Sequence, residues 1–146
     1  MERQSHSEVI DAPIEVCFET IVSFEMYPEW FSGITAARVC ESNRDNCEWT
    51  VAYELDMKLK VLRYTLAYSG ESPSKLRWRL VEGDVSDVEG AYDFSALDGG
   101  KTEATCKQAI EVGFWIPGPI KRTFEKTALI DSVREFKKAA EARAGS

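Results

Sequence analysis

The side chains in this chain that could do chemistry are few: His6, four cysteines (Cys17, Cys40, Cys47 and Cys106), and an acidic run, Asp84, Asp87 and Glu89, in EGDVSDVEG. His6 lies near the N-terminus in the first predicted strand, where a surface position is expected rather than a catalytic base. The cysteines form no C-x-x-C pair and have no histidine beside them, so reduced, mostly buried thiols are expected, not a zinc site or a redox motif. Calcium loops need closer alternating oxygens around a glycine turn, so the acidic run reads as a solvated hairpin. G-x-S-x-G, H-E-x-x-H and a phosphate-binding glycine loop are all absent. No metal and no cofactor are predicted.

Whatever site exists must therefore be built from the elements and not from a motif. The 146 residues suit one domain spanning 1–146 with one sizeable core. A net charge of −7 repels phosphate backbones and argues against nucleic acid as a partner. Seven basic against four acidic residues from Pro117 onward put that tail at +3 and residues 1–116 at −10. Such a tail suits an amphipathic helix with a solvated basic side; a face for a membrane or an acidic partner is the alternative. No signal pattern or membrane-length apolar run is present, so a cytoplasmic location with no transmembrane segment is expected.

After a short strand in SHSEVIDAP, Asp11 is placed to cap a helix with Pro13 in its first turn, and Ile14, Cys17, Phe18 and Ile21 give it one apolar face. The next segment, MYPEWF (26–31), sets Tyr27, Trp30 and Phe31 on one face of a second short helical turn that Gly33 ends. From Ile34 to Gly113 the period changes to two. Trp49, Val51, Tyr53 and Leu55 form one apolar parity; Leu76, Trp78 and Leu80 form another; Val88, Gly90, Tyr92 and Phe94 a third. Asp98-Gly99-Gly100 is a hairpin turn, and Thr102 to Gly113 a last long strand. In LKVLRYTLAYSG the register is open: Leu62, Tyr64, Leu66 and Tyr68 share one face and Val61, Arg63, Thr65 and Ala67 the other. From Pro117 on, about 25 residues at 1.5 Å each make a helix of about 37 Å. Ile120, Phe124, Ala128, Leu129, Val133, Phe136 and Ala140 form its broad apolar stripe. A long meander with one terminal helix must curl around that helix to bury both apolar faces.

Three segments, DAPIEVCFETIVSFEMYPEW, LRWRLVEGDVSDVEGAYDFSALDGGKTEATCKQAIEV and WIPGPIKRTFEKTALIDSVREFKK, resemble the polyketide cyclase/dehydrase and lipid-transport superfamily (SRPBCC) from about Ser7 to Lys138. The specific marks are Tyr27 to Trp30, Trp78 followed by Gly83-Asp84 and Gly90-x-Tyr92, and Pro117. The resemblance implies an α+β helix-grip fold, shared with START and birch-pollen allergen-like domains. In it a curved antiparallel sheet of about seven strands wraps a long C-terminal helix, with two short helices between strands 1 and 2.

It also implies a cavity of several hundred cubic ångströms between sheet and helix, and a lipophilic small molecule (lipid, quinone, polyketide or isoprenoid) as partner. The MYPEWF corner would sit near one end, where its rings either gate the entrance or plug the core. Trp30, Phe31, Val51, Tyr53, Trp78, Leu80, Tyr92, Phe94, Phe124 and Ala128 are the predicted ligand-binding residues. A cyclase or dehydratase is the alternative; it would use buried polar groups to polarise a carbonyl or relay a proton, with Arg63 and Tyr64 as candidates beside Tyr53, Tyr68 and Tyr92. Carrying the parity of Leu55, Met57, Leu59 and Val61 forward points Arg63 inward, and a bulge in that run would reverse it. A protein- or ribosome-interaction module is the second alternative, resting on the +3 tail.

Overall fold

Alternating apolar and polar residues suit a sheet with one covered face, and in the computed structural model seven such segments pair into one antiparallel sheet. The structure describes residues 3–58 and 60–146, with the side chains of Thr123 and Phe124 outside the described set. In chain order the elements are β1 (Gln4–Ile10), α1 (Ile14–Val22), a 3-10 turn (Phe24–Met26), α2 (Tyr27–Trp30), β2 (Ile34–Asn43), a second 3-10 turn (Arg44–Asn46), β3 (Glu48–Asp56), β4 (Val61–Glu71), β5 (Lys75–Gly83), β6 (Asp87–Leu97), β7 (Lys101–Glu111) and α3 (Gly118–Ala144). The sheet order β1-β7-β6-β5-β4-β3-β2 is a meander from β2 to β7, with β1 folded back beside β7. The curved sheet packs around α3, the expected helix-grip arrangement.

α1 buries Cys17, Phe18 and Ile21 as its spacing required. Its cap differs from expectation: Pro13 is the N-cap and no side chain caps the helix. Asp11 stands two residues ahead of that cap, and its backbone N–H donates to Glu141 of α3 at 2.8 Å. The Asp98–Gly100 turn forms as predicted, with Leu97 opposite Lys101 and both glycines at positive φ.

The register of β4 is decided by the turn before it. Lys58 adopts a left-handed conformation, φ 70°, and β4 restarts with Leu62 opposite Leu55 and Val61 opposite Asp56. Parity therefore does not carry across the turn, where Leu59 lies outside the described residues. Leu62, Leu66 and Tyr68 are buried, Val61 is exposed, and Arg63 points to solvent. One bulge follows: Leu66 pairs with Leu80 and Thr65 with Glu82, leaving Val81 unpaired and 50% exposed.

The 27 residues of α3 span about 40 Å, but its apolar stripe is buried only towards the C-terminus. Leu129, Val133, Phe136 and Ala140 are core, whereas Ala128 is exposed and Ile120 is 57% exposed. The front of the helix therefore stands off the sheet, and a hollow lies beneath it. The rear is clamped to β1 and α1. Lys137 Nζ donates to the Val9 carbonyl at 2.6 Å and to Glu141 at 2.9 Å. Arg134 pairs with Glu8 at 3.6 Å, and Arg143 donates to Ser23 Oγ at 3.1 Å. Several charges of the basic tail thus make contacts that hold the fold itself.

Candidate functional site

Period-two alternation turns the inner faces of β3 to β7 toward α3, and α2 closes one end with rings. Tyr27 is buried, its hydroxyl donating to the Ile21 carbonyl at 2.6 Å. Its ring stacks on Tyr53 (centroids 5.9 Å apart) and on Phe31 (5.7 Å). Tyr53 and Tyr68 share a hydroxyl–hydroxyl hydrogen bond of 2.7 Å. Trp78 lies between Tyr68 and Tyr92, 5.9 Å from each, and Tyr92 reaches Phe136 of α3 at 5.2 Å. The result is a wall of rings from the corner helix across the sheet to α3.

Two chambers lie behind this wall. The inner one, about 80 Å³, is lined by Tyr27, Trp30, Phe31, Tyr53, Trp78 and Tyr92 with their neighbours. The outer one, about 470 Å³, runs under the front of α3 between Leu55, Met57 and Leu62 on one side and Val88, Ile110 and Val112 on the other. Phe31, Ile34, Tyr64, Leu66, Gln108 and Ser132 line both and form the neck between them. A separate groove of about 530 Å³ on the outer face of β2 to β5 is lined mostly by polar and charged residues such as Glu41, Thr50, Ser69, Arg77 and Arg79. It lacks the apolar enclosure that retains a small lipophile.

The neck is polar but uncharged. Ser132 donates its hydroxyl to the Leu129 carbonyl at 2.8 Å. Tyr64 packs its ring on Tyr53 at 5.5 Å, and its hydroxyl has no protein hydrogen-bond partner among the described residues. Burial holds the phenols of Tyr27, Tyr53, Tyr64, Tyr68 and Tyr92 above the usual tyrosine range. Burial likewise pushes the Cys106 thiol up to about 12, opposed by a hydrogen bond with Tyr92. At neutral pH these groups are therefore hydrogen-bonding dipoles, not ionised acids or bases.

Of the predicted ligand-binding residues, Trp30, Phe31, Tyr53, Trp78 and Tyr92 line the inner chamber and Ala128 the outer one. Val51 and Phe94 are not at the cavity: Val51 is fully buried, and Phe94 stacks on Tyr92 and packs on Phe136. Leu80 is partly buried beside the bulge and also lines neither chamber. The side chain of Phe124 lies outside the described residues. Tyr64 stands at the neck, but Arg63 does not face inward: it is exposed on the outer surface, 3.3 Å from Glu54, with its backbone N–H on Asp84. The restarted register of β4 is the reason. His6 is partly buried on β1, 2.6 Å from Glu8, and lines neither chamber. Asp84, Asp87 and Glu89 are each engaged locally, with Arg63 N–H, Val88 N–H and Arg3.

The residues missed by sequence reading are chiefly Gln108 and Ser132; Tyr27, a ring of the MYPEWF corner, lines the inner chamber beside Trp30 and Phe31. Gln108 was within reach, since it shares the parity of Thr102, Ala104, Cys106 and Ile110 on β7. Ser132 follows only from how α3 is rotated over the neck.

Comparison with known families matches the polyketide cyclase / dehydrase and lipid transport model to residues 10–137, and the chain belongs to that family. No curated protein matches significantly. Among solved structures, a START superfamily protein from Mycobacterium smegmatis is similar, with TM-score 0.79 and 19% identity over 98% of this chain and 97% of that one. The Zhui aromatase/cyclase from a Streptomyces species has TM-score 0.83 and 14% identity over 97% and 94%. A STAR-related lipid transfer protein from Xanthomonas axonopodis has TM-score 0.81 and 8% identity over 94% and 85%. At these identities the likeness establishes the fold alone.

Proposed function

We propose that this member of the polyketide cyclase / dehydrase and lipid transport family binds and carries a lipophilic small molecule in the cavity between the sheet and α3. The observation that carries the reading is the hollow of about 470 Å³ under the front of α3, walled by apolar side chains and joined through Tyr64, Gln108 and Ser132 to a ring-lined inner chamber. A filled core would have met the sheet along the whole helix. The apolar walls supply affinity by releasing water, and the neck supplies orientation through neutral donors and acceptors. A lipid, quinone, polyketide or isoprenoid body fits this description. Transient contact with a membrane during loading belongs to the same reading. Trp115, 85% exposed between β7 and α3, and Ile120 present apolar surface to the outside, and no helix among the described residues is long and apolar enough to cross a bilayer.

Cyclase or dehydratase activity is the second reading, favoured by the Tyr64 hydroxyl, which has no protein hydrogen-bond partner among the described residues, and by the Gln108 amide, which lines the same neck. Both can hydrogen-bond a carbonyl oxygen and so stabilise an enol or enolate forming there. Native mass spectrometry of the purified protein, followed by organic extraction, tests the primary reading. A stoichiometric apolar adduct supports carriage, and turnover of that molecule would move the assignment to the enzyme. A clean unliganded mass with no uptake from a panel of lipids, quinones and polyketides would overturn both.

A further inference from the structure

We infer that the cavity selects amphiphiles whose buried end is uncharged and whose solvent end is neutral or cationic, and discriminates against carboxylate and other anionic ligands. This rests on the binding reading above and adds the charge class of the ligand.

The first observation is the absence of a counter-charge at depth. Among the described residues, no Asp, Glu, Lys, Arg or His lines the inner chamber. The ionisable groups there, including Tyr27, Tyr53, Tyr92 and Cys106, are held neutral by burial. An ionised head driven into this chamber would lose its hydration and meet no opposite charge. Any charge on the ligand must therefore stay at the mouth.

The second observation is the sign of the mouth. Asp56, Glu125, Asp131 and Glu135 line the outer chamber, and Lys58 is the one cation lining it among the described residues. Glu135 is anchored, accepting from the backbone N–H and hydroxyl of Ser32. Asp56 accepts from the Lys58 backbone N–H at 2.7 Å, so that contact leaves the lysine ammonium unused. Lys121 stands 4.0 Å from Glu125 and offsets part of its charge. Asp131 is exposed and has no ion-pair partner among the described residues. Of the nearby cations, Lys60 is held over the Phe114 ring at 4.5 Å, and Arg122 and Lys126 do not line the chamber. A cationic head at this rim is attracted and an anionic head is repelled, by an amount that added salt screens.

The test is displacement of an uncharged fluorescent naphthylamine probe by three amphiphiles of one saturated chain length, below their micelle concentrations, with a hydroxyl, a trimethylammonium or a carboxylate head. The alcohol and the ammonium are expected to displace the probe at least about tenfold more effectively than the carboxylate at low salt, with the gap narrowing as salt rises. In the double variant Glu125→Gln, Asp131→Asn, the ammonium and carboxylate affinities should move toward that of the alcohol. A carboxylate that binds as well as the alcohol would overturn the selectivity while leaving the binding reading standing. Failure of the probe and all three amphiphiles to bind would sink the binding reading and this inference together.

Discussion

The indole of Trp78 lies against Gly90 on the neighbouring strand, so close that a Cβ at position 90 would stand 2.4 Å from the ring. The two are register partners across β5 and β6. Glycine here is a matter of space: its missing side chain is what lets Trp78 lie between Tyr68 and Tyr92 and form the wall of the inner chamber.

Gly90→Ala should therefore push the indole into the inner chamber. Overpacking of this kind costs about 1–3 kcal/mol, read as a lower denaturant midpoint with unchanged slope. Ligand binding should fall with it. A midpoint equal to the parent's would show that the ring moves aside freely.

Ala128→Trp separates cavity from fold. Ala128 is exposed and borders the outer chamber, so stability should stay within about 0.5 kcal/mol of the parent, as for other surface positions. The indole should occupy the hollow and abolish uptake of a bulky apolar probe. Undiminished uptake would place the ligand elsewhere.

Tyr64→Phe removes a hydroxyl that has no protein partner among the described residues. Stability should be unchanged. If the ligand hydrogen-bonds at the neck, its affinity should drop by about 0.5–1.5 kcal/mol, roughly two- to tenfold. Isothermal titration with the extracted ligand reads this directly, and an unchanged affinity would leave Gln108 and Ser132 as the only orienting groups at the neck.

The clamp between α3 and β1 should show in acid. The hydrogen bond from His6, followed by charge from His6 and Arg134, holds the Glu8 carboxyl below its ordinary 4.5. The Asp11 backbone N–H and then Lys137 do the same for Glu141. Because both are depressed in the folded state, their stabilisation is complete above about pH 4.5 and is lost as pH falls through the lower folded values. Glu141→Gln should flatten the fall in urea midpoint between neutral pH and about pH 3. A variant with the parent's full acid dependence would remove Glu141 from the clamp.

The order of elements and the identity of the inward faces on β3, on β6 and on β5 ahead of its bulge at Val81 were legible in the sequence, because along an uninterrupted stretch of strand alternation alone decides which side chain meets the core. For the same reason Tyr53, Trp78 and Tyr92 could be named as lining residues, and Gln108 was readable from its parity. The family resemblance rested on the same short marks and located the corner helix, whose rings turn out to divide their work. Tyr27 is buried core and also borders the inner chamber, while Trp30 and Phe31 are partly buried and line it.

Arg63 was not legible, because parity is a property of one strand and ends at its turn. The left-handed Lys58 restarts the count, and a shift of one residue sends every side chain of β4 to the opposite face. Nor could a hollow be told from a core in the apolar stripe of α3. The same kind of residue is buried at Leu129 and Val133 and exposed at Ile120. What differs is the distance of each helical turn from a curved sheet, which is set by contacts far apart in the chain: Glu8 with Arg134, Val9 with Lys137, Asp11 with Glu141. Local pattern thus determined what each element could bury, and only the tertiary clamp at the rear of α3 decided where burial stops and the cavity begins.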